Sequence, residues 1–415
     1  MIDGQVNYLI KKVLAEEIKD SRGNPTIKTT VWAGESSLFS GSFSVPSGAS
    51  TGAHEAHELR DEDGKGVENA IEKVNKIIAP VLVGKDILNQ KEIDRIMIEL
   101  DGTSNKDNLG GNSMIGVSIA CAKAAAKVSG IEVYEHLRTL MEIKPSRKAP
   151  YLFMNLLEGG KHTENNIAFQ EYLVVTDTEN INEAVLMGIK IQNSLKEIIK
   201  EKLGEESLIL GFEGGFAPKL NNIKKPLEFL TKAIKDNNLE GKVRLSLDVA
   251  ASSFFKNDLY KVDEKNITKE ELLNIFNSLI KEFNLLSIED PFAEEDFSSF
   301  SELKNKNPNL LVVGDDLTVS NKELLQKAIE YRSINAMIIK PNQIGTLTET
   351  LETMKLAREN NIELIISHRG EETNDDFIAD LAYAFNCFGL KAGAPTKIER
   401  MVKYERLIKI TNLLI

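Results

Sequence analysis

Residues 336–340 read AMIIK, a short apolar run closed at its C-terminal end by a charged side chain, and the same device recurs through the second half of the chain. VRLSLD ends at Asp248, LLSIE at Glu289, LLVVGD at Asp315, LIISHR at His368 and Arg369, and FGLK at Lys391. These ends lie 41, 26, 25, 28 and 23 residues apart, and helical patterns such as Lys322 to Tyr331 and Thr346 to Asn360 fill the intervals. A strand buried on both faces reads as a continuous apolar run, so the pattern is a βα repeat around a parallel sheet. In a (β/α) barrel the chemistry sits at the carboxyl ends of the strands. Three carboxylates, two lysines, a histidine and an arginine are therefore expected to converge on one mouth.

Working outward, 415 residues are too many for the barrel alone; a barrel of about 250 residues leaves a companion of about 140. The first third has a different pattern. Thr26 to Ala33 and Leu38 to Val45 read as strands joined through Gly34, and Asn7 to Ile18 supplies a third for an antiparallel meander. Helical patterns follow at Val67 to Ile78, at Gln90 to Leu100 and in the alanine-rich stretch Ser113 to Val128. The polar, proline-bearing segment Met141 to Pro150 reads as the linker. The expected fold is α/β: an N-terminal α+β capping domain over residues 1–140, then a modified (β/α)8 TIM-type barrel over 141–415.

Composition narrows the function classes. The net charge of −12 carries no lysine or arginine block against it, which argues against nucleic acid as partner. No apolar run reaches the roughly 18 residues of a membrane span, and MIDGQVNYLIKK lacks the apolar core of a signal peptide. Cys121 and Cys387 stand far apart inside apolar patterns, so reduced thiols in a cytoplasmic protein are expected, with no membrane partner.

Asp248, Glu289 and Asp315 are three oxygen donors on separate strand ends, and a shared cation would offset their mutual repulsion. An all-oxygen set favours Mg²⁺, then Mn²⁺, over zinc. Each aspartate has the ordinary alternative of capping a helix or turn. Asp290 and Asp316 beside them read as supports of the ligands. Lys340 points from an apolar layer toward the proposed metal; neighbouring cations would lower its pKa and make it a general base, or it salt-bridges a ligating carboxylate. Glu213, in GFEGGFAP, is either a desolvated carboxyl that stays protonated and acts as an acid, or an incidental member of a glycine turn. His162 in EGGKHTENN has the same two readings, and that stretch is no phosphate loop. VPSGASTG, Val45 to Gly52, is a lid over the mouth or a plain connection. A base beside a divalent ion and an acid across the site describe β-elimination of water next to a carboxylate.

These residues resemble the enolase (phosphopyruvate hydratase) family over nearly the whole chain. The likeness runs through DSRGNPT (Asp20 to Thr26), VPSGASTG, ELRD (Glu58 to Asp61), FQE (Phe169 to Glu171), EGGFAP (Glu213 to Pro218), LDVAAS (Leu247 to Ser252), SIEDPF (Ser287 to Phe292), VGDDLTV (Val313 to Val319), NQIGT (Asn342 to Thr346), SHR (Ser367 to Arg369) and GAP (Gly393 to Pro395). The resemblance implies Mg²⁺-dependent dehydration of 2-phosphoglycerate to phosphoenolpyruvate in glycolysis and gluconeogenesis. It implies Lys340 as base and Glu213 as acid, with the tighter Mg²⁺ on Asp248, Glu289 and Asp315. Ser50 would help to hold a second ion. His162, Gln170, Glu171, His368, Arg369, Gly370 and Lys391 would surround a phosphorylated carboxylate, in a homodimer or higher homo-oligomer. The chain departs from the family pattern where Phe212 replaces the Asp of GDEGG, Gly370 the Ser of SHRSGET, Glu158 the Asn before Gly159-Gly160, and Lys397-Ile398 the Arg-Ser after GAP. These changes cluster around the substrate, which leaves two alternatives: α-proton abstraction from a different carboxylate, or a non-catalytic metal-binding relative.

Overall fold

The computed structural model describes residues 8–48, 54–163, 165 and 167–413. Three strands open the chain, β1 (Ile10–Lys19), β2 (Pro25–Ala33) and β3 (Phe39–Ser44), paired antiparallel in that order. This is the expected meander, with β1 from the segment expected to add the third strand. Alternation along β2 buries Ile27, Thr29, Val31 and Ala33 on one face, and the alanine-rich helix Gly111–Ser129 covers that sheet. Helix and sheet meet closely because β3 carries a glycine at the crossing: a Cβ on Gly41 would stand 2.3 Å from the Ala120 carbonyl oxygen. Val133–Leu140 ends this part, and residues 141–150 lead on without regular structure.

The barrel begins with β4 (Tyr151–Glu158), β5 (Glu171–Thr176) and β6 (Val243–Asp248). A small antiparallel sheet then interrupts it: β7 (Phe255–Lys256), β8 (Leu259–Val262) and β9 (Lys265–Ile267). Its two-residue turns, Asn257-Asp258 and Asp263-Glu264, all hold positive φ, as tight hairpins of this kind require. This insertion accounts for the long interval between Asp248 and Glu289. The wall continues through β10 (Ser287–Glu289), β11 (Leu311–Gly314), β12 (Ala336–Ile339), β13 (Glu363–Ser367) and β14 (Gly389–Lys391), which pairs back onto β4 and closes the cylinder. Neighbours are parallel except that β5 runs antiparallel to both β4 and β6. The sequence repeat marks six of these eight strands; β4 and β5 it leaves unmarked.

The pleat decides which side chains enter the mouth. Phe153, Leu173, Val175, Leu286, Val313, Ala336, Ile338 and Ile365 form a buried cluster of their own inside the cylinder, whereas Met337, Ile339, Leu364 and Ile366 belong to the larger core against the helices. Stepping by two from the inward set, Lys340 follows Ile338, Asp315 follows Val313, and Ser367 and Arg369 follow Ile365. The reversed strand obeys the same rule in mirror order. Its first residue, Glu171, precedes inward Leu173 and pairs with Glu158 and Asp248 at the mouth.

The N-terminal part is bound to the barrel through polar contacts. Asp94 accepts from Thr348 N at 2.9 Å, and Lys106–Glu349 (2.9 Å), Lys123–Asp375 (2.7 Å) and Arg369–Glu55 (2.9 Å) are ion pairs. Among the described residues no single helix is long and apolar enough to cross a membrane.

Candidate active site

One pocket at the barrel mouth is lined by His162, Gln170, Glu171, Glu213, Asp248, Asp315, Lys340, His368, Arg369, Gly370 and Lys391, together with Gly48, Ala250, Asp290, Asp316 and Ser367. Apart from Ser50, every residue singled out from the sequence lines it except Glu289, which is held to its edge by Lys391. The Lys391 ammonium lies 2.9 Å from both Glu289 oxygens, 3.0 Å from Asp248 Oδ2 and 3.2 Å from Glu171 Oε2. Lys340 bonds Asp315 Oδ2, and Gln343 donates to Asp315 Oδ1 at 3.3 Å. Ser50 falls outside the described residues. The segment read as a lid or a plain connection is described as far as Gly48, and Ser47 is bridged to Glu371 through both backbone bonds, at 2.9 and 3.0 Å.

Glu213 sits on the other wall, carried by the turn between β5 and β6. Its Oε2 accepts from Asn155 Nδ2 at 3.1 Å and lies 3.3 Å from His368 Nε2, while His162 Nδ1 is 3.9 Å from Oε1. His368 is backed by Arg400, whose guanidinium donates to Nδ1 and to the carbonyls of Arg369 (2.7 Å) and Gly370 (2.8 Å). Asp290, turned back at φ 42, accepts the backbone N–H groups of Asp315 (3.0 Å) and Asp316 (2.7 Å). It thereby holds the backbone that carries Asp315 and Asp316.

Burial sets the protonation states, and partners correct them. Burial and the Asp248 charge push the Glu289 carboxyl well above the usual range against Lys391, while burial and Glu213 do the same to Glu171. Burial would lower Lys391, but Asp248, Glu171 and Glu289 hold it well above its ordinary value. Lys340 overturns one expectation. Burial pushes its amine down, yet the Asp315 charge outweighs this and the pKa is raised. Glu213 overturns another: burial pushes the carboxyl up, but His368, His162 and Arg400 prevail and hold it well below the usual range. The proton of this wall sits instead on Glu158, raised to about 8 by burial and by Glu213.

Carboxylates outnumber the cations Lys340, Arg369 and Lys391 in this pocket, and buried carboxylates with raised proton affinity favour a further positive charge. Asp248, Glu289 and Asp315 end adjacent strands and offer only oxygen, a donor set that fits a hard divalent cation. Among the described residues, the groups that bring ligand atoms within 4.8 Å of one another are His162 with Glu171 and Glu213, and Asp290 with Asp315 and Asp316; Asp248, Glu289 and Asp315 do not form such a group, since Asp248 and Glu289 meet at Lys391 and Asp315 pairs with Lys340.

Sequence reasoning missed Asn155, Gln343 and Arg400. For Arg400 a signal existed: Arg400, Lys403, Tyr404, Leu407 and Ile410 share one helical stripe, and a basic pair on an apolar stripe marks buried charge. Gln343 stands inside the NQIGT motif, though without a role read from it, and Asn155 carried no signal.

Comparison with known proteins agrees with this fold. Residues 10–137 match the family model described as the enolase N-terminal domain, and residues 146–415 the enolase C-terminal TIM barrel domain. The chain is similar to the enolase of Methanocaldococcus jannaschii, 45% identical over 97% of this chain and 95% of the relative. It is 40% identical to the enolase of Methanothrix thermoacetophila over 98% and 96%, and 42% identical to enolase 1 of Entamoeba histolytica over 97% and 95%.

Proposed function

The chain belongs to the enolase family, and on that premise we propose that Lys340 is the base and Glu213 the acid of its reaction, with Asp248, Glu289 and Asp315 as ligands of Mg²⁺. The enzyme is a lyase, phosphopyruvate hydratase, which interconverts 2-phospho-D-glycerate with phosphoenolpyruvate and water, a step of glycolysis and gluconeogenesis. Relatives at 40–45% identity along nearly the whole chain favour this reaction over a different carboxylate or a non-catalytic role. The observation that carries the residue assignment is that Lys340 and Glu213 stand on separate walls of one buried pocket, each with its own partners.

In the dehydration direction the Lys340 amine, which must first give up the proton that the Asp315 charge favours, takes the proton from carbon 2. The electron pair left behind forms the double bond to carbon 3 as the carbon 3–oxygen bond breaks. The departing hydroxyl receives a proton from Glu213, which must first take one up against the pull of His368, His162 and Arg400, and leaves as water; hydration is the same path reversed, begun by ionised Glu213 activating water. Bound at the three carboxylates, Mg²⁺ supplies positive charge to the substrate carboxylate as negative charge grows there. Arg369 and Lys391 offer cations to the anionic substrate, and His162, Gln170, Glu171, His368 and Gly370 complete its surroundings. Ser50 belongs to this proposal as a ligand of a second ion. So do the division into a capping domain, 1–140, and a catalytic barrel, 141–415, a homodimer or higher oligomer, and a cytoplasmic setting, for which the buried free thiols Cys121 and Cys387 speak.

The test is to follow phosphoenolpyruvate formation from 2-phosphoglycerate with Mg²⁺, and exchange of the carbon 2 proton with deuterated solvent. Lys340→Ala is expected to lose both by about 10²- to 10⁴-fold, and Glu213→Gln to lose dehydration by a similar factor while keeping exchange. Turnover that survives Lys340→Ala overturns the assignment of the base.

A further inference from the structure

We infer that Glu158 is the positioning residue of the acid in this chain: its carboxyl group grips the turn that carries Glu213 and fixes the direction in which the acid carboxyl faces the pocket. The inference rests on the reading of Glu213 as the acid.

Glu158 ends β4 and is fully buried. Its Oε1 accepts the backbone N–H of Gly215 at 2.7 Å and that of Glu213 at 3.1 Å, and Oε2 lies 3.3 Å from the same Glu213 nitrogen. The turn is laid along β4, since Glu158 N donates to Phe216 O at 2.8 Å and Phe216 N to Leu156 O at 2.9 Å. Its glycines leave the space the carboxylate fills: a Cβ on Gly211 would meet Glu158 Oε2 at 2.1 Å. From the other side Lys397 Nζ donates to the carbonyls of Gly211 (3.1 Å) and Phe212 (3.0 Å). A carboxyl oxygen thus holds the N–H side of the turn and the Lys397 cation its carbonyl side. A buried carboxyl whose oxygen accepts two main-chain N–H groups is a directional anchor.

The departures from the family pattern do not all cluster around the substrate as expected: Gly370 alone among them lines the pocket, and three of the others fall into one place. Glu158, Phe212 and Lys397 all touch or form this turn, and the carboxylate lacking at 212 stands at 158. Phe212 is released to face the Arg22 guanidinium, 4.2 Å from its ring. With Oε2 of Glu213 held only by Asn155 and His368, a turn that drifts would misdirect the proton rather than weaken substrate binding.

The experiment compares Glu158→Ala, which removes the acceptor, with Glu158→Gln, whose amide oxygen has the same reach. Glu158→Ala is expected to lower kcat for dehydration about 10- to 100-fold with KM within about threefold, because misplacement of a catalytic group by an ångström costs on that order. Exchange of the carbon 2 proton, which needs Lys340 and the cation but not Glu213, should persist. Glu158→Gln should recover most of kcat. If the alanine variant does not fold, Glu158→Asn, one methylene short, carries the same contrast. Dehydration at the parent rate in Glu158→Ala, or exchange and dehydration falling by the same factor, overturns the inference. Glu213→Gln separates the two layers: dehydration that survives it overturns the acid assignment and this inference with it. Dehydration lost in Glu213→Gln but untouched in Glu158→Ala sinks the role of Glu158 alone.

Discussion

His368 is wedged between Arg400, which donates to Nδ1, and Glu213, 3.3 Å from Nε2. A guanidinium has no lone pair to accept with, so Nδ1 must be the acceptor and the single ring proton sits on Nε2, facing the acid. Burial lowers the imidazole from 6.5 to about 4. Since the unfolded chain takes up a proton below 6.5 and the folded one does not until about 4, this residue makes stability fall as pH drops through that window. Nitrogen-detected NMR on labelled histidine should find His368 neutral and Nε2-protonated at pH values between those limits, and His368→Gln should flatten the urea-measured slope of stability there. A ring that titrates at its ordinary value would defeat this account. Lys340 shows what a sequence can and cannot say at this scale. The period of AMIIK fixes the direction of the side chain, and the pocket does receive it. That its amine meets Asp315, whose charge raises rather than lowers its pKa, depends on a partner 25 residues away in another strand.

The last helix, Ile398–Asn412, turns one face of positive charge into the protein. Lys403 Nζ bonds Glu372 at 2.7 Å and the carbonyls of Thr373 and Glu399 at 2.6 Å, while Arg400 holds the carbonyls of the preceding loop. Glu372 in turn accepts from Arg369 N at 3.1 Å, so the helix fixes the loop that presents His368 and Arg369. Lys403→Met should strand the buried Glu372 carboxylate and cost about 3–5 kcal/mol in urea unfolding, with most of it recovered when Glu372→Gln is added. Losses that simply add would mean that the pair is not coupled. Elements of this kind differ in how plainly the sequence announces them. The parallel strands β6 and β10 to β14 are read from apolar runs with polar ends, because burial on both faces leaves no other composition. The strand β5, EYLVVT, has an apolar run of the same kind, but its polar residue comes first. The device that marks the others is inverted when a strand is reversed, and so it passes unnoticed. The hairpin sheet β7 to β9 was hidden for another reason: its turns are Asn-Asp and Asp-Glu rather than glycine pairs.

Across the whole molecule the excess of acidic over basic residues leaves a net charge of −12, and the barrel concentrates part of it where water cannot screen it. Glu171, Asp248 and Glu289 share the one ammonium of Lys391, and Asp316, raised to about 7 by burial and Asp315, lies beside them. Such a cluster opposes folding unless a cation joins it, which is the usual conflict between a working site and a stable one. Two consequences can be separated by measurement. Mg²⁺ that binds only the folded chain should raise its stability by RT ln(1 + [Mg²⁺]/Kd), about 2.7 kcal/mol at a hundredfold excess over Kd, and chelation should remove that gain. Glu289→Gln takes one carboxylate from around Lys391 while leaving Asp248 and Glu171 to pair with it. In chelator the variant should therefore melt at or above the temperature of the parent, and added Mg²⁺ should raise its melting temperature much less. A variant that is destabilised in chelator yet keeps the full response to Mg²⁺ would show that residue 289 serves the fold of the barrel and not the cation.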